Sequence, residues 1–220
     1  MLWTMGLTFF YSATGFTLPL ENSEWVDFRP VMPDDRETLQ DGMSALSSKS
    51  RRFRFFTPVS KLSDQLLQRF AEVDQHNHVA WIAIDHNQSQ HPGLGVARFI
   101  RFESQPTSAE FAVVVIDSYQ RRGVGTILMA ILYLIAKTKG IEILRGFVLA
   151  ENSVMLNWLG ALGAVGKYED GICRMDIHVR DDLSSLPETP SAQRLRNCIE
   201  KLQRSSLEQF AQRSTSAERN

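Results

Sequence analysis

Cysteine is scarce in this sequence, and neither sign of charge dominates. Cys173 and Cys198 are the two cysteines among 220 residues, and no Cys-x-x-Cys pair or cysteine–histidine cluster accompanies them. A disulfide framework and a structural zinc site are therefore disfavoured, and a reducing, cytoplasmic location is expected. The 24 basic and 25 acidic residues leave a formal net charge of −1. This balance argues against a broad basic surface, so we expect neither nucleic acid nor a membrane as a partner.

Charge is missing altogether from the first twenty positions, which raises the question of a signal peptide or a membrane anchor. No Lys or Arg precedes the apolar part of this stretch, and Thr, Ser, Gly and Pro interrupt it. These features disfavour both interpretations. We expect residues 1–23 to form an N-terminal extension, which is either an added strand or hairpin packed on the core or a loosely ordered leader.

The sequence does contain a clear periodicity from Glu24 onward. Short alternating segments predict strands, and segments with apolar residues three and four positions apart predict helices. The predicted strands are 25–31, 78–85, 94–102, 109–116, 141–150 and 171–180, and the predicted helices are 32–46, 59–74, 123–140 and 152–164. Residues 47–58, SSKSRRFRFFTP, are expected to form a basic, aromatic-rich loop.

The order of these segments predicts an α+β (α/β) fold with a mixed, mostly antiparallel central sheet flanked by helices. Three strands joined by short turns indicate an antiparallel meander. A strand, a helix and a further strand from Ala109 to Ala150 then require a parallel pair. With 43% hydrophobic residues, the chain can bury a substantial core. We expect this domain to span residues 24–180.

Residues 181–220 differ in composition from the domain before them. A Ser- and Pro-rich linker is followed by a modestly amphipathic helix. Its apolar positions are Leu195, Ile199, Leu202, Leu207 and Phe210. We expect this C-terminal helix to pack back on the domain or on a partner chain, so that an oligomer could form through it.

The stretch DSYQRRGVGTILM, residues 117–129, directly follows the apolar run Phe111–Ile116. A strand that enters a helix through glycines presents free helix N-terminal amides to an anion, and glycines let the oxygens of a phosphate approach the backbone. The dinucleotide pattern Gly-x-Gly-x-x-Gly fails because Leu128 stands at its third glycine position. The turn therefore predicts a phosphate site of another type, formed by Gln120, Arg121, Arg122, Gly123, Val124, Gly125 and Thr126.

Gln120-x-x-Gly123-x-Gly125 after a strand resembles the acetyl-CoA-binding motif of the GNAT superfamily of N-acetyltransferases, and residues 24–180 resemble that superfamily in the order of their elements. The segments SSKSRRFRFF, GVARFIRF, AEFAVVV and VLAENSVMLNWLGALGA are similar to the acetyltransferase domain of bacterial protein-lysine acetyltransferases. The resemblance implies a GNAT fold with acetyl-CoA as cosubstrate. In that fold the strand before the turn separates from its parallel neighbour. The backbone of Val113, Val114 and Val115 would then pair with the pantetheine arm, and residues 120–126 would hold the pyrophosphate.

The same resemblance assigns catalytic roles. Attack by an amine requires a base, because a lysine amine with a pKa near 10.4 is protonated at neutral pH. Glu110 heads the strand beside the apolar residues Phe111 and Val113, which are expected to desolvate its carboxylate partly, and it would be that base, acting directly or through water. Asn152 would contact the cofactor arm or would cap the following helix, and both roles remain open. Many relatives use a tyrosine in that helix as the general acid, but SVMLNWLGALG has none and Tyr168 lies beyond it, so the acid is unassigned.

Two further groups of residues are assigned no metal or nucleic-acid role. His76, His78, His86 and His91 do not have the spacing of a metal site, so no metal is expected. In the run from Arg51 to Phe56, we expect the phenylalanines to pack and the arginines to line the acceptor entrance or meet the 3′-phosphate of coenzyme A.

The leading hypothesis is an acetyl-CoA-dependent N-acetyltransferase that acts on protein lysine. A transferase for a small-molecule amine is the first alternative, because acceptor choice resides in loops that the fold does not specify. A non-catalytic acyl-CoA-binding sensor is the second. The presence of Glu110 argues for catalysis, whereas the missing tyrosine argues for the sensor.

Overall fold

One eight-stranded sheet organises the protein. The computed structural model describes residues 15–20, 22–88 and 92–217, with side chains through residue 205. The strands, in the order β1-β2-β3-β4-β5-β6-β8-β7 across the sheet, are β1 (Phe16–Pro19), β2 (Trp25–Pro30), β3 (His78–Asp85), β4 (Gly93–Phe102), β5 (Gln105–Val115), β6 (Ile143–Leu149), β7 (Val165–Glu169) and β8 (Ile172–His178). β5 and β6 are parallel and the other neighbouring pairs are antiparallel, so the predicted mixed, mostly antiparallel sheet is confirmed.

Helices cover both faces of the sheet. They are α1 (Arg36–Ala45), α2 (Ser48–Phe55), α3 (Asp64–Ala71), α4 (Val124–Thr138), α5 (Ser153–Ala161) and α6 (Pro190–Ala217). α4 is apolar around most of its circumference, and such a helix is stable in water only when it is buried on several sides. It lies between the sheet and α6 accordingly. On the opposite face, α1, α2 and α3 pack over β3, β4 and β5 and enclose a second, smaller hydrophobic cluster.

The interpretation of residues 47–58 as a loop was wrong, because α2 occupies most of that stretch. α2 buries none of its residues completely, and it therefore lacks the apolar stripe by which a helix is recognised in a sequence. Its first turn is held from another part of the chain. The carboxylate of Asp117 accepts hydrogen bonds from the Ser47 amide (2.9 Å), the Ser47 hydroxyl (2.8 Å) and the Ser50 hydroxyl (2.9 Å).

A strand between α5 and β8 was also missed. β7 is exposed along its whole length, so no alternation of apolar and polar residues marks it. The turn that joins β7 to β8 is Asp170-Gly171, with φ angles of 48° and 78°. An Asp-Gly pair between two extended segments is a strong hairpin signal, because both central residues of a type I′ turn need positive φ. That pair could have identified β7 from the sequence.

The two ends of the chain extend the sheet and the core. Phe16 of β1 stacks on Phe28 of β2 with ring centroids 5.7 Å apart. This part of the N-terminal extension is an added strand, and residues 1–14 lie outside the described residues. Three apolar residues of α6 are buried in the main core, Leu195, Ile199 and Leu202, so this helix packs back on the domain, the first of the two expected arrangements. The side chains of Leu207 and Phe210 lie outside the described residues. Within the described chain, no helix combines the length and the apolar character that crossing a bilayer requires.

Candidate active site

β5 and β6 run side by side for three residue pairs and then separate. The last pair is Glu110 with Arg145, while β5 stays paired with β4 as far as Val115. The ring of Phe111 packs on the backbone of Gly146, where an added Cβ would lie 2.9 Å from two ring carbons. Only a glycine leaves room for the ring, so this contact marks the point of separation. Beyond this point, the backbone of residues 111–115 has no strand paired with it on the β6 side among the described residues. We call this stretch of β5 the open edge. The strand separation implied by the GNAT resemblance is thus present.

The open edge leads directly to the N-terminus of α4. Arg121 and Gly123 both have left-handed φ angles, 60° and 95°, and Gly123 is the N-cap residue without a side-chain cap. The amides of residues 124–126 therefore have no acceptor within the helix, and the helix dipole adds partial positive charge there. An added Cβ on Gly123 would meet nothing within 4 Å. Free amides beside open space fit a phosphate group, as the sequence predicted for this turn.

The polar side chains of the turn differ in how they are engaged. Gln120 donates from its amide Nε2 to the carbonyl oxygen of Val115 at 3.1 Å, which ties the turn to the end of β5. Arg122 pairs with Glu24 at 3.2 Å and lies over the ring of Tyr119. Arg121 is exposed and has no ion pair among the described residues. Arg121 is thus the cation of the turn that is free to meet an anion, whereas Arg122 is already neutralised by Glu24.

Glu110 lies where the open edge begins, and its carboxylate is exposed to solvent. The partial desolvation expected from its apolar neighbours is therefore absent in the chain by itself, because those neighbours point to the other face of the strand. Arg145, which is opposite Glu110 in the parallel register, is held by Asp176 through two hydrogen bonds of 2.8 and 2.9 Å. Glu110 forms no ion pair within 4 Å in the described part of the chain.

Asn152 follows β6, on the opposite side of the opening from Val115. It is 8% exposed, and its Oδ1 accepts a hydrogen bond of 3.2 Å from the amide of Met155. The helix-capping role is therefore confirmed. Its Nδ2 group makes no hydrogen bond with the described residues, so capping leaves a donor available. Tyr168 lies on β7 and is 65% exposed, and no tyrosine occurs in α5, so the general acid remains unassigned.

A pocket of about 60 Å³ lies between β5 and the helices α1, α2 and α3, which cover one face of the sheet. Ala112, Val114 and Ile116 line it, and alternation along the strand places Glu110 on the same face. Most of its wall is apolar, but Arg54 and Arg98 also line it. Sequence reasoning did not identify Arg98. Its signal was a single charge at an inward position of the otherwise apolar strand GLGVARF.

The described histidines do not assemble a metal site, and His91 lies outside the described residues. His78 Nε2 lies 3.1 Å from Nη1 of Arg98, and His86 Nδ1 lies 2.9 Å from Asp27. Burial, together with the nearby charge of Arg98, lowers the pKa of His78 to about 4. Over the described residues, no three His, Cys, Asp or Glu side chains are placed to hold a metal ion.

Comparison with known proteins agrees with this geometry. The family model described as "Acetyltransferase (GNAT) family" matches residues 44–163. The protein named Acetyltransferase Pat, from Mycolicibacterium smegmatis, is 34% identical over 167 residues, which are 76% of this chain and 49% of that protein. Acetyltransferase PA5475 from Pseudomonas aeruginosa is 28% identical over 159 residues, covering 72% of this chain and 85% of that protein. This chain therefore spans about half the length of the first relative.

Among solved structures, the GNAT domain of S. lividans PAT superimposes with a TM-score of 0.68 at 26% identity. The match covers 74% of this chain and 96% of that domain. The fold class and the resemblance to bacterial protein acetyltransferases are confirmed. The family model spans more than half of the 220 residues and includes the open edge and the turn before α4, so the chain belongs to the GNAT family of acetyltransferases.

Proposed function

We propose that this chain is an acetyl-CoA-dependent N-acetyltransferase that acetylates lysine side chains of proteins, and that Glu110 is its general base. One observation carries the proposal: Glu110 lies exposed at the start of the open edge between β5 and β6. A base at that point can be reached by a side chain projecting from a macromolecule without prior rearrangement of the chain. The resemblance to bacterial protein-lysine acetyltransferases supports the same choice of acceptor.

The binding of acetyl-CoA is proposed to follow the open edge. Backbone groups of Val113, Val114 and Val115 would pair with the pantetheine arm as a neighbouring strand does. The turn from Gln120 through Arg121, Arg122, Gly123, Val124 and Gly125 to Thr126 would hold the pyrophosphate. Its free amides are the main contribution, and Arg121 adds charge. The Nδ2 group of Asn152 can donate to the same ligand while Oδ1 caps α5.

Acetyl-CoA supplies a thioester carbonyl that an uncharged amine can attack. Since free lysine is protonated at pH 7, Glu110 would take one proton from the ammonium group, directly or through a water molecule. The amine nitrogen then forms the amide bond and releases its second proton to solvent, the carbon–sulfur bond breaks, and the thiolate of coenzyme A leaves. A backbone N–H of residues 113–115 would donate to the oxygen that becomes negative during attack. A thiol pKa near 8.5 allows the thiolate to leave without a dedicated acid.

Three broader assignments belong to the same proposal. We place the catalytic domain at residues 24–180, with residues 181–220 as a linker and a C-terminal helix. A cytoplasmic location is proposed, since Cys173 and Cys198 form no disulfide in the described chain. The C-terminal helix is also the surface at which an oligomer would form.

The proposal predicts that Glu110→Gln abolishes enzyme-dependent acetylation of protein lysines. A deacetylated bacterial lysate is incubated with acetyl-CoA and purified protein, and acetylated lysines are quantified by mass spectrometry. A small set of sites should be acetylated by the wild type, and the initial rate at those sites should fall by about 100-fold or more in the variant. The matched control is Glu103→Gln, which removes an exposed carboxylate from the turn between β4 and β5 and should retain the wild-type rate.

Other outcomes would point to different functions. Unchanged rates in Glu110→Gln remove this residue as the base. If lysine acetylation never exceeds the enzyme-free background but small amines are acetylated, the acceptor is a small molecule. Retained acetyl-CoA binding without turnover of any amine would indicate a sensor.

A further inference from the structure

The pocket beneath α1, α2 and α3 contains positive charge that no carboxylate of the described chain neutralises. Arg54 lies over the rings of Phe55 and Phe70, at 5.1 and 5.9 Å from their centroids. In the described chain its guanidinium forms no hydrogen bond and no ion pair within 4 Å, although the charges of Glu110 and Arg98 act on it without direct contact. Burial lowers the pKa of this guanidinium, and the negative field of Glu110 only partly compensates. Arg54 is thus a cation in an apolar wall, and the carboxylate of Glu110 attracts it without a direct contact.

Arg98 brings a second cation to the same pocket. Its side chain is 5% exposed overall and stacks 4.1 Å from the centroid of the Phe70 ring, so both arginines lie against one ring. Nη1 donates to His78 Nε2 and to the carbonyl oxygen of Phe70, at 3.1 and 3.4 Å. Nε and Nη2 make no hydrogen bond within the described residues. Burial, and then the charge of Arg54, lower the pKa of Arg98 to about 9.

A buried and a half-buried charge of the same sign are unfavourable by themselves, because each loses hydration and each repels the other. A buried arginine is ordinarily matched by a carboxylate or phosphate, which its planar fork can bind through two parallel hydrogen bonds. Here the fork of Arg54 is unoccupied and that of Arg98 is half occupied by neutral acceptors. An anion entering the pocket would satisfy both groups at once.

The size and position of the pocket define the anion. Its volume of about 60 Å³ is several times the ~10–15 Å³ that one water molecule requires. The pocket can therefore hold a group of a few heavy atoms. Glu110 lies on the same strand face, so a bound group would be near the proposed reacting centre. The surrounding wall of Ala112, Val114 and Ile116 is apolar and suits a short aliphatic chain.

We propose that Arg54 and Arg98 bind a carboxylate carried by a substrate of this transferase. The substrate assignment rests on the proposed acetyl-transfer site at Glu110, whereas the binding of a carboxylate does not. The carboxylate has two sources with the same chemistry. It belongs either to the acceptor, as in a small amino acid, or to the acyl group, as in a dicarboxylic acyl-CoA.

Binding is tested first, without any acetyl transfer. Propionate and propionamide have the same shape but differ in charge, and each is titrated at constant ionic strength while the melting temperature is measured. Propionate should raise the melting temperature of the wild type in proportion to its binding, and propionamide should not. Arg54→Gln should weaken propionate binding about tenfold or more, the factor expected from losing a charge-assisted hydrogen bond.

Lys49→Gln is the matched control, because Lys49 is exposed on the same helix and does not line the pocket. It should bind propionate like the wild type. Arg54→Lys keeps the charge without the planar fork and should bind with intermediate strength, which covers the case in which Arg54→Gln does not fold. Equal stabilisation by propionate and propionamide, or undiminished propionate binding in the folded Arg54 variants, overturns the proposal.

Kinetic measurements then identify whether the acceptor or the acyl group carries the carboxylate. One arm compares glycine and β-alanine with glycinamide and β-alaninamide as acceptors of acetyl-CoA. The other compares malonyl-CoA and succinyl-CoA with acetyl-CoA at a fixed acceptor. One arm should show a preference for the carboxylate that falls about tenfold in Arg54→Gln and persists in Lys49→Gln. Absence of such a preference from both arms overturns the substrate assignment, whereas failure of Glu110→Gln to affect lysine acetylation leaves the propionate result intact.

Discussion

His78 illustrates how a single side chain is tuned by its surroundings. It is partly buried on β3 and accepts a hydrogen bond from Arg98, which requires an unprotonated Nε2. Burial has the largest effect on its pKa, and the charge of Arg98 and then Arg69 act in the same direction, while Asp74 opposes them. The resulting pKa of about 4 keeps the ring neutral at pH 7.

We predict that this depressed pKa makes stability depend on pH. The unfolded chain binds the proton of His78 near pH 6.5, but the folded chain does so only near pH 4. Stability from this group is complete above about pH 6.5 and declines as the pH falls toward 4. His78→Gln, which keeps an acceptor for Arg98 but does not titrate, should flatten the curve of unfolding free energy against pH between about 6.5 and 5.

Urea unfolding at successive pH values measures this curve, and values above pH 5 keep most carboxylates ionised. His86→Gln is the matched control, since His86 is exposed and faces Asp27 rather than an arginine. It should preserve the decline. An identical pH dependence in His78→Gln and the wild type would contradict the assigned role.

At the scale of elements, α4 has glycines in left-handed conformation just outside both ends, and they serve different purposes. Gly123 at the N-terminus has φ of 95°, and Gly140 beyond the C-terminus has φ of 68°. An added Cβ would meet no atom within 4 Å at either position. Backbone strain alone therefore determines the cost of alanine, about 1–2 kcal/mol at each site.

We predict that Gly123→Ala and Gly140→Ala lose similar stability but differ in acetyl-CoA binding. Relief of strain at Gly123 must turn the amides of the first turn of α4, so the affinity for acetyl-CoA should fall by about tenfold. Gly140→Ala leaves those amides in place and should bind acetyl-CoA as the wild type does. Calorimetric titration with acetyl-CoA measures both. Equal affinity in the two variants would show that these amides do not bind the pyrophosphate.

The pairing of α2 with the turn before α4 is a second element-scale feature. Burial alone would raise the pKa of Asp117, but the hydrogen bonds from Ser47 and Ser50 outweigh it and hold that pKa below its usual range. Asp117 thus remains ionised and links α2 to the beginning of the proposed pyrophosphate turn. The same contact places Arg54 of α2 over the pocket, so one carboxylate supports both proposed binding sites.

At the scale of the whole molecule, α6 completes the main core. Leu195 is fully buried and packs in the cluster that includes α4. Leu195→Ala should lower the free energy of unfolding by about 2–5 kcal/mol, because it removes apolar contacts and leaves a cavity. Arg194→Ala on the same helix should change it by less than about 0.5 kcal/mol, since Arg194 is exposed.

Urea unfolding at pH 7.5 compares these two variants. A small loss in Leu195→Ala would mean that α6 contributes little to the folded domain. Parallel assays of acetyl transfer distinguish a role in stability from a role in the active site, as Leu195 contacts neither proposed binding site and its variant should retain activity while folded.

The fold and the site were predictable to different extents. The apolar strands, the all-apolar α4 and the glycine-containing turn each carry a signal within a few residues, and these parts were predicted correctly. α2 was not, because its first turn depends on Asp117, which follows Ser47 by 70 positions. β7 lacks apolar alternation, and its one signal, Asp170-Gly171, was overlooked. The exposure of Glu110 depends on which face of β5 the helices cover, and local neighbours gave the wrong expectation of burial.

The sequence by itself determined the kinds of element, their order and the chemistry of the turn before α4. Those properties follow from periodicity, from the backbone freedom of glycine and from the free amides of a helix N-terminus, all of which are local. Only the tertiary structure decided where β5 leaves β6, because that point depends on Phe111 packing against Gly146. It also decided that Arg54 and Arg98, which are 44 positions apart, meet across the ring of Phe70. Such contacts arise from packing between distant segments, and no pattern within one segment encodes them.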